Sequence, residues 1–140
     1  TGDLTLSGIN NATLANGTYC FHNLTLTNSG QLKVNGPVVI KLTGTLNIGG
    51  ASILNNLTGI PGNLQILSSY SAANGVTINN GANNLVVIYA PQTAVNITGI
   101  APVFGTVVGK TVTVGNSGTI HYDTKLKTIW PDLWAAIFAP

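Results

Sequence analysis

A short phrase recurs six times along this chain: two aliphatic residues flank one polar residue, and a small turn residue follows. The copies begin at positions 4, 24, 46, 76, 95 and 112, as LTL, LTL, LNI, VTI, VNI and VTV. Alternation with a period of two places the aliphatic side chains on one side of a strand and the polar side chain on the other. Most copies lie close to 20 residues apart, which is the length of one turn of a β-solenoid.

The recurrence at near-constant spacing predicts an all-β fold, a parallel β-helix in which each turn stacks on the one before. The segments 23–29, 30–36 and 37–44 are interpreted as the three sides of one turn. An antiparallel sandwich or jelly roll is the alternative, because its strands also alternate apolar and polar residues. Such a fold does not require one phrase to return at near-constant spacing. The least regular stretch, 49–63, is expected to leave the stack as a loop.

Two aliphatic runs interrupt the alternation. PVVIKL at 37–42 and NLVVIYAP at 84–91 are nearly continuous apolar segments. Such runs are typical of strands that are buried on both faces. We therefore expect these two strands to be covered on the outside as well as on the inside.

The predicted β-helix domain covers residues 1–124, and the apolar tail at 125–140 differs in kind. The tail contains both tryptophans, and Pro131 fits the first position of a short helix. A solenoid exposes core and strand edges at its ends, so we expect the tail to cap one end or to dock on another subunit. The residues expected to make this contact are Ile129, Trp130, Leu133, Trp134, Ile137 and Phe138.

Charged residues make up only 6 % of the chain, against roughly 25 % in an ordinary soluble domain. A net charge of +2 spread this thinly forms no basic stripe, so no nucleic-acid partner is expected. No apolar run reaches the roughly 18 residues of a membrane span. A surface built from Asn, Thr, Ser and Gly predicts an extracellular or cell-surface location, and the opening TGDLTLSG, which starts in mid-pattern, fits a piece of a longer precursor.

The sequence offers little chemistry, and we expect no enzymatic activity, no cofactor and no metal. Acid–base catalysis on glycans needs paired carboxylates, whereas Asp3, Asp123 and Asp132 lie far apart and the chain has no Glu. His121 and Asp123 lie on the same side of a strand, but a metal site needs three or four ligands. A hydrogen-bonding role is therefore preferred for this pair.

The single cysteine, Cys20, lies in the strand-like segment TYCFHNL. Free cysteines are among the most buried residues in proteins. The sequence therefore predicts a buried and inert thiol.

Five Asn-x-Thr sequons occur, and in a secreted chain with the right machinery they would accept glycans. The sequon asparagines are Asn11, Asn16, Asn23, Asn56 and Asn96. The structural alternative is that asparagine amides at equivalent corners hydrogen-bond along the solenoid axis.

Threonine occupies the middle of four of the six phrases. These threonines are Thr5, Thr25, Thr77 and Thr113. If the phrases stack, they form a flat row of hydroxyl and methyl groups that could order water and bind ice, as in solenoid antifreeze proteins. Asn47 and Asn96 interrupt this row, and threonine is also simply favourable on an exposed strand.

Three longer segments carry more distinctive elements. They are 17–52, with GTY and GPV, 84–99, with VIYAP, and 103–123, with VVGKTVTVGNSG and IHYD. Together they resemble a domain of bacterial envelope proteins of the type IV pilus-assembly or minor-pilin-associated kind. The resemblance implies a right-handed parallel β-helix that is displayed outside the cell and has no enzymatic role.

The expected function is therefore that of a non-enzymatic, extracellular structural or adhesive domain of a surface appendage, pilus-associated or filament-forming. The expected partners are further copies of the chain or other appendage subunits, together with a surface or glycan ligand. An ice-binding or glycan-binding β-solenoid is the alternative.

Overall fold

A computed structural model describes residues 1–100 and 102–129 of the chain. The described chain is almost entirely β, and its parallel strands stack as a β-solenoid of about six turns, which confirms the predicted parallel fold. The elements are β1 Leu4–Ser7, β2 Asn11–Phe21, β3 Leu24–Thr27, β4 Gln31–Leu42, β5 Leu46–Gly50, β6 Ile53–Asn56, a 3-10 helix Pro61–Asn63, β7 Leu64–Ser68, β8 Val76–Asn80, β9 Asn84–Ile97, β10 Pro102–Val114, β11 Thr119–Tyr122 and α1 Leu126–Ile129.

Each turn contributes up to three strand segments, and most equivalent segments of successive turns pair in parallel. Among the described residues, β6 pairs with β4 and not with the following segment in β9. The A face holds the six phrases, at 4–7, 24–27, 46–50, 76–80, 94–97 and 111–114. The B face holds 11–15, 31–35, 53–56, 84–86, 102–105 and 119–122. The C face holds 17–21, 38–42, 64–68, 87–90 and 106–109.

The aliphatic positions of the phrases form two interior columns under the A face. Leu26 and Ile97, inside the stack, are fully buried, and each such side chain contributes roughly 1.5–3 kcal/mol on burial. At the C-terminal end of the same columns, Val112 and Val114 remain 42 % and 45 % exposed. They are exposed because, among the described residues, no further turn pairs with 111–114.

The corner from the A face to the B face explains why four of the six phrases have Gly or Asn at their fifth position. Gly8, Asn28, Gly50 and Asn116 each occupy the fifth position of a phrase and have φ values of 62°, 56°, 67° and 55°. Residues with a Cβ rarely adopt this left-handed conformation, which glycine and, to a lesser degree, asparagine tolerate. The turn residue thus directs the chain onto the next face.

The prediction of two-sided burial is wrong for 37–42. Val38 and Ile40 are buried, whereas Lys41 is exposed and Val39 is half-buried. The outer side of the C face is open to solvent in this turn, so only the alternate positions enter the core. In 84–91, by contrast, consecutive residues are buried at 86–88, whereas Leu85 and Tyr89 are half-buried, so the prediction holds only for the middle of that run.

The predicted loop at 49–63 is too long. Residues 53–56 form β6, which pairs with 31–34 of β4. The segment that leaves the stack is 57–63, and it ends in the 3-10 helix. The Gly and Asn content of 49–56 serves a corner and a short strand rather than an extended loop.

Among the described residues, the last strand of the solenoid ends at Tyr122, and α1 follows at Leu126. Leu126 is 3 % exposed but is not part of the main core cluster, so the tail begins with a residue that packs outside the interior columns. Within 1–100 and 102–129, no helix combines the length and apolarity that crossing a membrane requires. Of the predicted tail contacts, Ile129 ends α1, and Trp130, Leu133, Trp134, Ile137 and Phe138 lie outside the described residues.

Candidate functional site

One row along the outer side of the A face has one polar residue in every turn. The pairing partners along this row are Thr5–Thr25, Thr25–Asn47, Asn47–Thr77, Thr77–Asn96 and Asn96–Thr113. Neighbouring strands lie about 4.7–4.9 Å apart, so a hydroxyl or an amide recurs at that interval over six turns. The predicted row is confirmed, including the two asparagines that interrupt it, and it contains no charged residue.

Side-chain hydrogen bonds tie neighbouring turns together at the edges of the A face. The Nδ2 of Asn28 donates to the Oγ of Ser7 at 2.8 Å. Asn23 donates from its Nδ2 to an Asp3 carboxylate oxygen at 3.1 Å, and its Oδ1 accepts from the backbone N–H of Thr45 at 2.8 Å. Each bond joins residues of different turns, which fixes the spacing of the face.

The five sequon asparagines have different surroundings. Asn11 and Asn16 are exposed, whereas the half-buried Asn96 donates to Asn74 at 3.2 Å. Asn56 is 7 % exposed, and its Nδ2 donates to the carbonyls of Ile60 and Leu85 at 2.8 and 3.1 Å. Glycosylation remains a prediction, and the geometry favours Asn11 and Asn16, because a glycan on Asn56 would disrupt both of its hydrogen bonds.

A groove follows the outer side of the C face. Its floor is a row of directly paired residues, Cys20, Lys41, Leu67 and Tyr89. The groove has a volume of about 480 Å³, within the roughly 300–1,000 Å³ that is typical of small-molecule sites. Thr43 and Ser69 also line it, so an aromatic, an aliphatic, an amine-bearing and two hydroxyl-bearing residues contribute to one groove.

The prediction that Cys20 is buried is wrong, since the thiol is exposed. Its neighbours Tyr19 and Phe21 pair with Ile40 and Leu42 on the inner side of the strand. Because strand side chains alternate, Cys20 must then face outward.

A second groove, of about 420 Å³, lies between the B face and the loop 57–63. The rings of Phe104 and His121 stack there with centroids 4.8 Å apart and an interplanar angle of 17°. The other residues that line it are Gly59, Pro61, Leu85, Tyr122 and Asp123. Partial desolvation, and secondarily the negative charge of Asp123, raises the pKa of Tyr122 above its usual value, although the residue is still 37 % exposed.

His121 and Asp123 take part in local hydrogen bonds. The Nε2 of His121 lies 3.2 Å from the Oγ1 of Thr119, and a carboxylate oxygen of Asp123 accepts from the backbone N–H of Lys125 at 3.0 Å. In the part of the chain that the structure describes, His, Cys and acidic residues form no group of three or more with metal-binding geometry. Each of the two residues thus makes a local hydrogen bond of the kind expected, and the absence of a bound metal stays a prediction.

Comparison with known families gives a match over most of the chain. The profile of a family described as "Domain of unknown function (DUF7305)" matches residues 28–129, which include the third to sixth phrases. No curated protein and no solved structure matches the chain significantly.

Proposed function

We propose that this chain, which belongs to the DUF7305 family, is a non-enzymatic structural or adhesive rod of an extracellular surface appendage. The observation that supports the proposal is the stack of about six turns with paired parallel strands, whose outer faces carry few charges. The resemblance of 84–99 and 103–123 to pilus-associated envelope domains points to the same role.

The stack explains how such a rod would bear load. Parallel backbone hydrogen bonds run along the axis, and the aliphatic columns fill the interior. A chain with a net charge of +2 exerts little electrostatic repulsion on neighbouring rods, which favours close association in an appendage.

The location is tested in the source organism with an epitope-tagged chain. Antibody labelling of intact cells, with electron microscopy of any labelled filaments, should detect the tag at the cell surface. A tag that becomes accessible only after lysis would contradict the proposal.

The non-enzymatic part of the proposal has a separate test. Purified protein is incubated with a panel of polysaccharides, and Asp123→Asn is assayed beside it. We expect no breakdown products from either protein. Breakdown that is lost in the variant would show an enzyme instead.

The adhesive part is carried by the groove on the C face. A sugar ring has an apolar face and a rim of hydroxyls, and Tyr89 with Leu67 supplies an apolar surface next to the polar groups of Lys41 and Thr43. Tyr89→Ala should reduce binding on a glycan array, whereas Tyr70→Ala, which changes a tyrosine outside the groove, should not. Equal binding by both variants would remove the groove from the proposal.

A second candidate function, ice binding, is favoured by the outward row of the A face. Its hydroxyls and amides are evenly spaced and uncharged over six turns. Purified protein should then shape ice crystals and produce thermal hysteresis, and Thr77→Lys should abolish both effects. Thr13→Lys on the exposed B face is the matched control, and an effect of equal size in both variants would exclude the A face as the ice-binding surface.

A further inference from the structure

We infer that a second copy of this chain stacks head to tail on the C-terminal end of the solenoid, with its strand β1 paired along 111–114. The inference rests on the proposed appendage role and deepens it, because it names the partner as another copy and specifies the contact.

The C-terminal end of the A face is open. Residues 111–114 pair on one side with 94–97, and no strand of the described residues pairs with their other side. Val112 and Val114 belong to the interior columns but are 42 % and 45 % exposed. An unpaired strand edge beside exposed core residues is a template for another strand.

Among the described residues, the opposite end of the stack presents a strand that fits this template. β1 pairs only with β3 in the described structure, and its Leu4 is half-buried. Inside the chain, every phrase pairs with the next by the same rule, first residue opposite first residue. The same rule across two copies places Leu4 over Val112 and Leu6 over Val114, which extends both interior columns.

Charge favours the same register. Asp3 directly precedes β1 and is held by two hydrogen bonds from Asn23, at 3.0 and 3.1 Å. In the stacked register, Asp3 of the second copy would lie opposite Thr111, next to the exposed Lys110. The contact therefore brings charges of opposite sign together, although an exposed pair of this kind adds only modestly to affinity.

The two ends are different surfaces, so the contact is heterologous and continues into a filament unless it closes into a ring. This property allows a complementation experiment. Val112→Lys/Val114→Lys blocks the C-terminal end, and Leu4→Lys blocks the N-terminal end. Thr113→Lys is the matched control, since its side chain lies on the outer side of the same strand.

Sedimentation velocity over a range of concentrations gives the readout, with circular dichroism to check folding. Wild-type protein and Thr113→Lys should self-associate, and each end variant alone should be monomeric. A mixture of the two end variants should form a dimer and stop there, because only one pair of intact ends is present. A monomeric wild type, as expected if residues 130–140 of the same chain occupy the end, or a mixture that stays monomeric, would overturn the inference.

Cysteine trapping tests the contact without altering the columns. In a Cys20→Ser background, Thr5→Cys/Thr113→Cys places two thiols opposite each other across the proposed contact. The distance between paired strands, about 4.8 Å, lies within the roughly 4.4–6.8 Å between the Cα atoms of disulfides. Mild oxidation should then give a ladder of linked multimers, and cross-linking no faster than in Thr18→Cys/Thr113→Cys would contradict the register.

The outcomes separate this inference from the proposed function. A monomeric chain that is found at the cell surface would remove the stacking contact and leave the appendage role intact. An intracellular chain that assembles head to tail would do the opposite.

Discussion

Truncating one buried leucine of an A-face column measures whether the stack behaves as one continuous interior. Leu26 is fully buried and lies between Leu6 and Ile48 in the pairing order. The backbone ladders on both sides limit collapse around a cavity, so Leu26→Ala should lower the free energy of unfolding by about 2–5 kcal/mol. Val114 lies in the same column but is 45 % exposed. Val114→Ala removes two methyl groups that are only half withdrawn from water, so the loss should be about 1 kcal/mol or less.

Urea unfolding followed by circular dichroism gives both values, at a concentration where the chain is monomeric so that association does not contribute. Leu26→Val is a milder substitution that keeps the test usable if Leu26→Ala does not fold. We expect Leu26→Ala to lower the free energy of unfolding at least twice as much as Val114→Ala does. Equal losses at the two positions would refute the argument that stability depends on depth within the column.

Three further predictions concern corners, a buried amide pair and a tyrosine. A Cβ at Gly30 would overlap the backbone carbonyl of Leu6, so Gly30→Ala should lower the free energy of unfolding by about 1–3 kcal/mol in a urea titration. A Cβ at Gly49 meets no backbone atom within 4 Å, so Gly49→Ala should lower it by less than about 1 kcal/mol. Asn84 is fully buried and exchanges hydrogen bonds of 3.0 and 3.1 Å with Asn80. Asn84→Ala leaves the Asn80 Oδ1 unpaired, so the melting temperature should fall by an amount equivalent to about 1–3 kcal/mol of stability. An unchanged melting temperature would contradict this prediction. The pKa of Tyr122 is raised in the folded state, so the folded state holds the phenolic proton more tightly than the unfolded state. The free energy of unfolding should therefore fall as the pH rises above about 10. Tyr122→Phe should reduce this fall, and an identical alkaline profile of the variant would exclude Tyr122 as its source.

The A face could be predicted from the sequence almost completely. Its phrases keep the same internal order, so their alternation identifies the inward and outward residues at once, and Gly or Asn at the fifth position marks the corner. The division of 23–44 into three sides also agrees with the observed pairing, because each side in that turn ends in a turn residue.

The two grooves could not be predicted from the sequence. Each groove combines residues from several turns, and the turns differ in length because loops such as 57–63 leave the stack. The distance in sequence from Lys41 to Leu67 therefore differs from that between Leu67 and Tyr89, although all three are direct neighbours in space. The same limitation explains why the predicted burial of Cys20 is wrong. The orientation of its side chain depends on which of its neighbours enter the core, and not on the general tendency of cysteine to be buried.

The third turn has a consequence for how the molecule tolerates change. Leu46 pairs directly with Val76, 30 positions later, just as Leu4 pairs with Leu24 after only 20. The ten additional residues are accommodated at the corners and leave the alignment of the neighbouring strands intact. Segments of new length and chemistry can therefore be grafted at those corners. The architecture is modular, because the paired strands are fixed while the connections between them can change in evolution and in engineering.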